Sequence, residues 1–157
     1  MSMRMNVEIE GLDELIKDFE RAGGDAQPLV TAALTNSTTR VQSNIRRGAP
    51  HAFGTLQRSV LPEVHYPVGE VAVNESYGEA VEEGTGPHRP PHAAIERWAK
   101  KKGLPKGVSY AIVNTIAKRG TKAQPFFKPG WEMSQDYIEE QFAKVTDRLV
   151  SVLSGGR

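Results

Sequence analysis

The segment Tyr77-Gly-Glu-Ala-Val-Glu-Glu-Gly-Thr-Gly-Pro-His-Arg-Pro-Pro91 organises the chain, because a short apolar and acidic stretch runs directly into residues that form turns. Tyr77, Ala80 and Val81 are spaced for one face of a helical turn, which predicts a short helix with a buried side. Gly84 can adopt the positive φ found at helix ends, and the prolines after it cannot continue a helix. The segment therefore predicts a short helix followed by an exposed loop, and exposed loops often carry function.

Length and composition limit the classes of protein that fit. The chain has 157 residues, which predicts one domain spanning residues 1–157, and it contains no cysteine, which excludes disulfides and zinc-thiolate sites. No apolar run is long enough to cross a bilayer, and the first residues lack the apolar core of a secretory signal. We therefore expect a soluble protein that is neither secreted nor bound to a membrane.

The net charge of +1 conceals a strong asymmetry along the chain. Residues 97–128 contain nine lysines and arginines and no acidic residue. The rest of the chain is correspondingly acidic. Such a division predicts a surface that binds a negative partner, either nucleic acid or an acidic protein face, although a solvated lysine-rich surface remains the alternative.

The first half of the chain predicts helices and a small sheet. Alternation over Val7–Glu10 predicts a strand, and the apolar spacing from Leu12 onward predicts an amphipathic helix that stops at Gly23. A second helix of about 20 residues should follow, capped by Asp25 and ended by Gly48. Its polar middle has weak helix propensity, so packing must stabilise it.

A hairpin follows the second helix. Residues 55–65 predict a strand in which Pro62 marks an edge or a bulge, and residues 70–74 predict its antiparallel partner. The fold class is therefore α+β, with a small, mostly antiparallel sheet packed against long N-terminal and C-terminal helices.

The second half of the chain predicts a helical, proline-rich excursion over residues 86–124. Within it, helices should run from about Pro91 to Lys102 and from about Val108 to Gly120. Pro125–Pro129 should be extended and should bury Phe126 and Phe127 as an anchor. A continuous terminal helix should run from about Gly130 to Leu153, and residues 154–157 should form a flexible tail.

The pattern of polar residues argues against an enzyme or a metal site. His88 and His92 have helical spacing for zinc, but prolines between them and the lack of a third ligand at a familiar spacing disfavour such a site. Glu79, Glu82 and Glu83 could serve as paired carboxylates, although adjacent glutamates usually form a solvated face. We therefore expect no catalytic residue, cofactor, metal or small-molecule substrate.

Three segments, taken in order, resemble the family of tail-component and neck proteins of long-tailed bacteriophages. The first is Ala49-Pro-His-Ala-Phe-Gly-Thr-Leu-Gln-Arg-Ser-Val60, the second is Tyr77-Gly-Glu-Ala-Val-Glu-Glu-Gly-Thr85, and the third is Pro125-Phe-Phe-Lys-Pro129. They are similar to the family's Ala-Pro…Thr-Gly-x-Leu-x-x-Ser, Tyr-Ala-x-x-Val-Glu-x-Gly-Thr and Pro-Phe-Leu-x-Pro. The minor tail protein Z of phage lambda is related to this family. Phe53, Gly78 and Gly130-Trp131 depart from the pattern.

The resemblance implies a structural virion protein made in the host bacterial cytoplasm. It would form a homo-oligomeric ring, expected to be a hexamer, at the neck or the head-proximal end of the tail, where it would function in tail completion and head–tail joining. Its other partners would be tail terminator, tail tube or head–tail connector proteins, with passive contact to DNA. The motif and interface candidates are Pro50, Gly54, Leu56, Ser59, Tyr77, Val81, Glu82, Gly84, Thr85, Pro125 and Phe126.

The basic segment supplies a second set of candidates, which we name the basic patch. We expect it to bind an acidic face of a neighbouring subunit, with Glu79, Glu82 and Glu83 as counterparts. A protein that contacts DNA nonspecifically through residues 97–128 is the main alternative, and a hydrolase that uses Glu82 or His88 is the other. The basic patch consists of Arg97, Lys100, Lys101, Lys102, Lys106, Lys118, Arg119 and Lys122.

Overall fold

A computed structural model of the protein describes residues 3–7, 12–51 and 54–155. Within them, eight helices accompany a three-stranded antiparallel sheet, which confirms the predicted α+β class. The elements are β1 (Met3–Val7), α1 (Leu12–Arg21), α2 (Gln27–Gly48), α3 (Thr55–Arg58), β2 (Val60–His65), β3 (Val68–Val73), α4 (Gly78–Glu83), α5 (His92–Lys101), α6 (Val108–Arg119), α7 (Phe127–Glu132) and α8 (Gln135–Leu153).

The long helix α2 lies at the centre of the fold. It packs against β2 and β3 on one side and against α7 and α8 on the other, while α1 packs on α8. Its apolar residues, such as Leu34, Val41 and Ile45, are completely buried. Burying each such side chain contributes roughly 1.5–3 kcal/mol to folding, so α2 is the principal source of the core.

Two residues in the polar middle of α2, Ser37 and Thr38, are buried, whereas their neighbours Thr35, Asn36 and Thr39 are exposed. The Thr38 hydroxyl donates to the carbonyl oxygen of Leu34 at 2.9 Å, which satisfies it inside the helix. Near the end of α2, Asn44 Nδ2 donates to Ser134 Oγ at 2.9 Å, and Ser134 Oγ donates to the carbonyl oxygen of Gly130 at 2.7 Å. Buried hydrogen bonds thus join the end of α2 to the turn before α8, whereas the buried Ser37 hydroxyl has no hydrogen-bond partner among the described residues.

The sheet has the order β1-β3-β2, so β2 is an edge strand. Val73 of β3 lies opposite Met3 on one side and Val60 on the other. Pro62 therefore lies on an edge, as predicted, where its missing N–H costs no central ladder bond. The hairpin of β2 and β3 is also confirmed.

Several predicted boundaries are wrong in the first half of the chain. The first strand is β1, and residues 8–10 of the predicted Val7–Glu10 strand lie outside the described residues. Residues 55–58 form the short helix α3 instead of the start of a strand. The N-cap of α2 is Ala26, although the carboxylate of the predicted cap Asp25 accepts a hydrogen bond from the Gln27 amide at 3.0 Å.

Two boundaries are also wrong in the second half. Residues 127–132 form α7, so the Pro125–Pro129 segment is not extended throughout. The predicted terminal helix from Gly130 to Leu153 is interrupted at Met133 and Ser134, where the buried Ser134 precedes α8. The anchor prediction holds for burial, because Phe126 and Phe127 are only 1% and 4% exposed.

The helices α2 and α7 approach each other closely at Gly130. A Cβ atom at this position would lie 2.7 Å from the Ile45 backbone nitrogen and 2.8 Å from its Cα atom. Backbone atoms of a central helix cannot move aside cheaply, so the contact requires glycine. This explains physically why glycine follows Pro129.

We predict that Gly130→Ala lowers the free energy of unfolding by about 1–3 kcal/mol, because the added methyl group overpacks the contact between α2 and α7. Thermal and urea unfolding would measure the change. Gly86→Ala is the matched control, since a Cβ atom there meets nothing within 4 Å. Equal stability of the two variants would contradict the close approach.

Candidate functional site

The carboxylate of Glu82 connects α4 to the start of α7. Its Oε2 atom accepts hydrogen bonds from the backbone amides of Phe126 at 2.7 Å and Phe127 at 2.8 Å, and its Oε1 atom accepts one from Lys128 at 3.0 Å. The first amides of a helix lack partners within the helix, and the helix dipole favours a negative charge beside them. Glu82 therefore caps α7 from a distant part of the chain.

This cap explains why a proline-flanked segment becomes helical. Pro129 lies in the first turn of α7, where its missing N–H removes no hydrogen bond that the helix needs. The buried rings of Phe126 and Phe127 draw the adjoining backbone toward the core, where its amides require acceptors. The Glu82 carboxylate supplies these acceptors, and it also places a negative charge beside the start of α7.

The first motif segment meets the second beside the same helix α4. Thr55 Oγ1 lies 3.0 Å from the Tyr77 hydroxyl in a hydrogen bond, and a Cβ atom at Gly78 would lie 3.7 Å from Leu56 Cδ1. Tyr77 itself is 40% exposed, so the prediction that it shares a buried face with Ala80 and Val81 is wrong; Gly78 is buried instead.

The second motif segment thus contacts the first through Tyr77 and Gly78 and the third through Glu82, and we name this set of contacts the motif junction. The other predicted motif residues lie around it: Ser59 bonds to the Leu56 carbonyl, Pro50 is half-buried just after α2, and Gly54 precedes α3. Ala52 and Phe53 lie outside the described residues. The motif junction consists of Thr55, Leu56, Tyr77, Gly78, Glu82, Phe126, Phe127 and Lys128.

A single antiparallel β-bridge between Thr85 and Thr121 follows the motif junction. We call this bridge the neck because it joins residues 86–120 to the rest of the chain. Thr85 and Thr121 exchange backbone hydrogen bonds of 3.1 Å in both directions, and their hydroxyl oxygens lie 3.0 Å apart. Gly84 and Gly120 precede these threonines with φ of 74° and 72°. The positive φ of both glycines allows the chain to turn into and out of the neck.

Beyond the neck, α5 and α6 pack on each other as a helical hairpin. Ala99 of α5 and Val113 of α6 are buried, but neither belongs to the main hydrophobic core of the protein. His92 Nε2 is hydrogen-bonded to Ser109 Oγ at 3.0 Å, and its ring lies 4.0 Å from that of Tyr110. These contacts join the first turns of the two helices.

The hairpin carries the basic patch on its exposed surface. The described residues of the patch are all exposed, and they lie near the ends of α5 and α6 and in the adjoining loops. The carboxylate of Glu82, by contrast, is engaged within the chain. Its expected role as a counterpart of a neighbour's basic patch is therefore wrong, which leaves Glu79 and Glu83 of the predicted acidic group.

The polar groups of the motif junction make hydrogen bonds within the chain, and the Glu82 carboxylate caps α7. Among the described residues, no group of three or more histidine, cysteine, aspartate or glutamate side chains could hold a metal ion. His88 Nδ1 lies near Thr85 Oγ1 and the Gly86 carbonyl oxygen, and His92 bonds to Ser109. Phe126 and Phe127 are buried, so they cannot stack bases as an exposed platform would.

No family model, curated protein or solved structure gives a significant match to this chain. Within the described part of the chain, no helix is long and apolar enough to cross a membrane.

Thr121 and Gln124, which contact the second motif segment, were not among the predicted site residues. Thr121 pairs with Thr85, and the Gln124 amide donates to the Val81 carbonyl oxygen at 2.8 Å. Gly-Thr occurs at residues 84–85 and 120–121, but it also occurs at residues 54–55, so the dipeptide alone does not indicate this pairing.

We predict that Glu82→Ala lowers the free energy of unfolding by about 2 kcal/mol, because three amides at the start of α7 lose a charged acceptor. Chemical unfolding would measure the loss, and Glu82→Gln should lose less because its amide retains one oxygen acceptor. The exposed neighbour provides a control, since Glu83→Ala should change stability by less than about 0.5 kcal/mol. Identical curves for Glu82→Ala and Glu83→Ala would show that the cap contributes nothing.

Proposed function

We propose that this protein is a structural subunit of a bacteriophage neck, which forms a ring at the head-proximal end of the tail and acts in tail completion and head–tail joining. The observation that carries the proposal is the motif junction. Three separated segments suggest the family by their order along the chain, and the same segments contact one another in the fold.

The motif junction also favours a non-enzymatic role. A general acid or base must reach a substrate, whereas the Glu82 carboxylate faces three backbone amides. These bonds make a hydrolase that uses Glu82 a poor explanation of the site. A structural subunit needs the same carboxylate to fix the position of α7.

The basic hairpin supplies one side of a contact between subunits. It is joined to the rest of the chain through the neck, and its cations are exposed. A contact between different surfaces of identical subunits closes into a ring when the rotation between them permits closure. We therefore assign the hairpin of one subunit to an acidic surface of the next.

The acidic surface that fits best lies on α1. Asp13, Glu14 and Glu20 are exposed there, as is Asp18, which pairs with Arg21. Partial burial, followed by the negative charges of Glu20, Asp25 and Asp13, raises the pKa of the Tyr66 phenol. Burial is the main cause of this shift, and the three carboxylates add smaller contributions of the same sign, which places their negative charge near Tyr66.

We predict that joint reversal of Lys100, Lys102, Lys118 and Arg119 to glutamate prevents subunit association. Native mass spectrometry and sedimentation should show assembled wild-type protein and a monomeric variant. Exposed ion pairs contribute only about 0–1 kcal/mol each, so grouped changes are required. Reversal of Asp13, Glu14 and Glu20 to lysine in the same chain should restore assembly if the two surfaces meet.

A matched control separates a specific contact from a general effect of charge. Arg148→Glu changes an exposed cation on α8 and should leave assembly unchanged. If the hairpin variant keeps its assembly but loses salt-dependent binding to DNA, the alternative of a DNA-contacting protein that uses residues 97–128 replaces the interface assignment. A wild-type protein that stays monomeric at all concentrations and with all neck partners would contradict the ring.

A further inference from the structure

A second cationic surface lies away from the hairpin, where the end of α2 meets α3. A groove of about 730 Å³ opens there, and its walls carry three guanidinium groups, a hydroxyl and a carboxamide. No carboxylate is found among the described residues that line it. The lining residues are Ser43, Arg46, Arg47, Gly54, Gln57 and Arg58.

One of these arginines is held firmly by the backbone. Arg46 Nε donates to the Gln57 carbonyl oxygen at 2.9 Å, and Arg46 Nη2 donates to the Val60 carbonyl oxygen at 3.0 Å. In return, Gln57 Nε2 donates to the Arg46 carbonyl oxygen at 2.9 Å. These reciprocal bonds fix a positive charge at the groove wall, so little side-chain entropy is lost when an anion binds.

The next residue along the chain extends this charge toward solvent. Arg47 is exposed and takes part in none of the ion pairs found within the described residues. Arg58 lines the facing wall and also interacts within the chain, so the inference depends on Arg46 and Arg47. Arg46 and Arg47 line one groove that has no carboxylate in its described lining, and their two positive charges make it a site for an oxyanion.

The groove continues along the exposed face of α2. A second depression of about 320 Å³ is lined by Asn36, Thr39, Arg40, Ser43 and Tyr137, and it shares Ser43 with the first. The Arg40 guanidinium carbon lies 4.2 Å from the centre of the Tyr137 ring. From residue 36 to residue 47 the helix rises by about 16 Å, which is the length of the combined strip.

The strip is not uniformly positive. The pKa of Glu140 is lowered chiefly by its hydrogen bond and ion pair with Lys144, and Arg40 adds a smaller contribution. Glu140 therefore offsets part of the Arg40 charge. The strongest anion-binding position is the end of the strip that contains Arg46 and Arg47.

The shape and chemistry of the strip favour an extended polyanion over a small molecule. Small-molecule sites are typically concave and apolar, whereas this surface is open and carries hydroxyl, amide and guanidinium donors. Arginine, serine, threonine, asparagine and glutamine are the side chains that commonly contact phosphates in nucleic-acid complexes. We propose that this strip of α2 and α3 binds the phosphate backbone of nucleic acid, independently of base sequence and separately from the basic hairpin.

The test uses the full-length protein with fluorescently labelled single-stranded and duplex oligonucleotides, measured by anisotropy over a range of salt concentrations. At low salt, Arg47→Glu should weaken duplex binding by about tenfold and reduce the slope of log affinity against log salt by about 0.9. Arg47→Lys, which keeps the charge, should retain most of the affinity. Arg148→Glu, which reverses an exposed cation on α8, is the matched control and should bind like wild type. The hairpin variant Arg119→Glu is compared with it to separate the strip from the basic patch.

Circular dichroism and thermal unfolding establish that each variant is folded, and Arg47→Gln provides a milder change if the reversal impairs folding. The proposal is overturned if wild-type protein binds neither oligonucleotide at low salt, or if Arg119→Glu reduces binding as much as Arg47→Glu. It is also overturned if polyglutamate competes as well as DNA of equal charge, because the partner would then be an acidic protein segment. None of these outcomes depends on ring formation, which is measured separately by native mass spectrometry.

Discussion

The three hydrogen bonds from the start of α7 to the Glu82 carboxylate are the interaction on which the second half of the structure depends. They join residues that lie 44 to 46 positions apart in the chain. Burial of Phe126 and Phe127 brings polar amides toward the core, and such amides are costly when they lack an acceptor. Without the carboxylate, the hydrophobic anchor and the helical start of α7 would compete. With it, both are satisfied by one side chain on α4.

The central position of α2 connects this cap to the remainder of the core. Gly130 allows α7 to lie directly against Ile45, and the Asn44 to Ser134 hydrogen bond fixes the place where α7 ends and α8 begins. The opposite side of α2 covers the sheet. Its exposed face is therefore the only side left for solvent among the described elements, and this face carries the arginines near residues 40–47. The packing of α2 therefore determines which of its polar side chains are exposed to solvent and which form hydrogen bonds inside the protein.

Sequence patterns predicted the elements whose structure depends on their own periodicity. The amphipathic helix α1, the hairpin of β2 and β3, and the helices α5 and α6 all follow from apolar spacing and from glycine or proline at their ends. The errors occur where a distant residue decides the local conformation. Pro125–Pro129 has the local preferences of an extended segment, but the Glu82 carboxylate accepts hydrogen bonds from the amides at the start of α7 and favours a helix there. Serine is common at N-caps, so Ser134 is a local signal for the start of α8, whereas its buried hydrogen bond with Asn44, ninety positions away, has none.

The neck formed by Thr85 and Thr121 has a consequence for how the protein can change over evolutionary time. Because the chain enters and leaves the hairpin through directly paired residues, the two ends of residues 86–120 are already joined across the gap. A shorter turn or a different helical pair could be substituted there without rethreading the core. The hairpin can therefore be exchanged or shortened while the packing of the core beneath it stays the same.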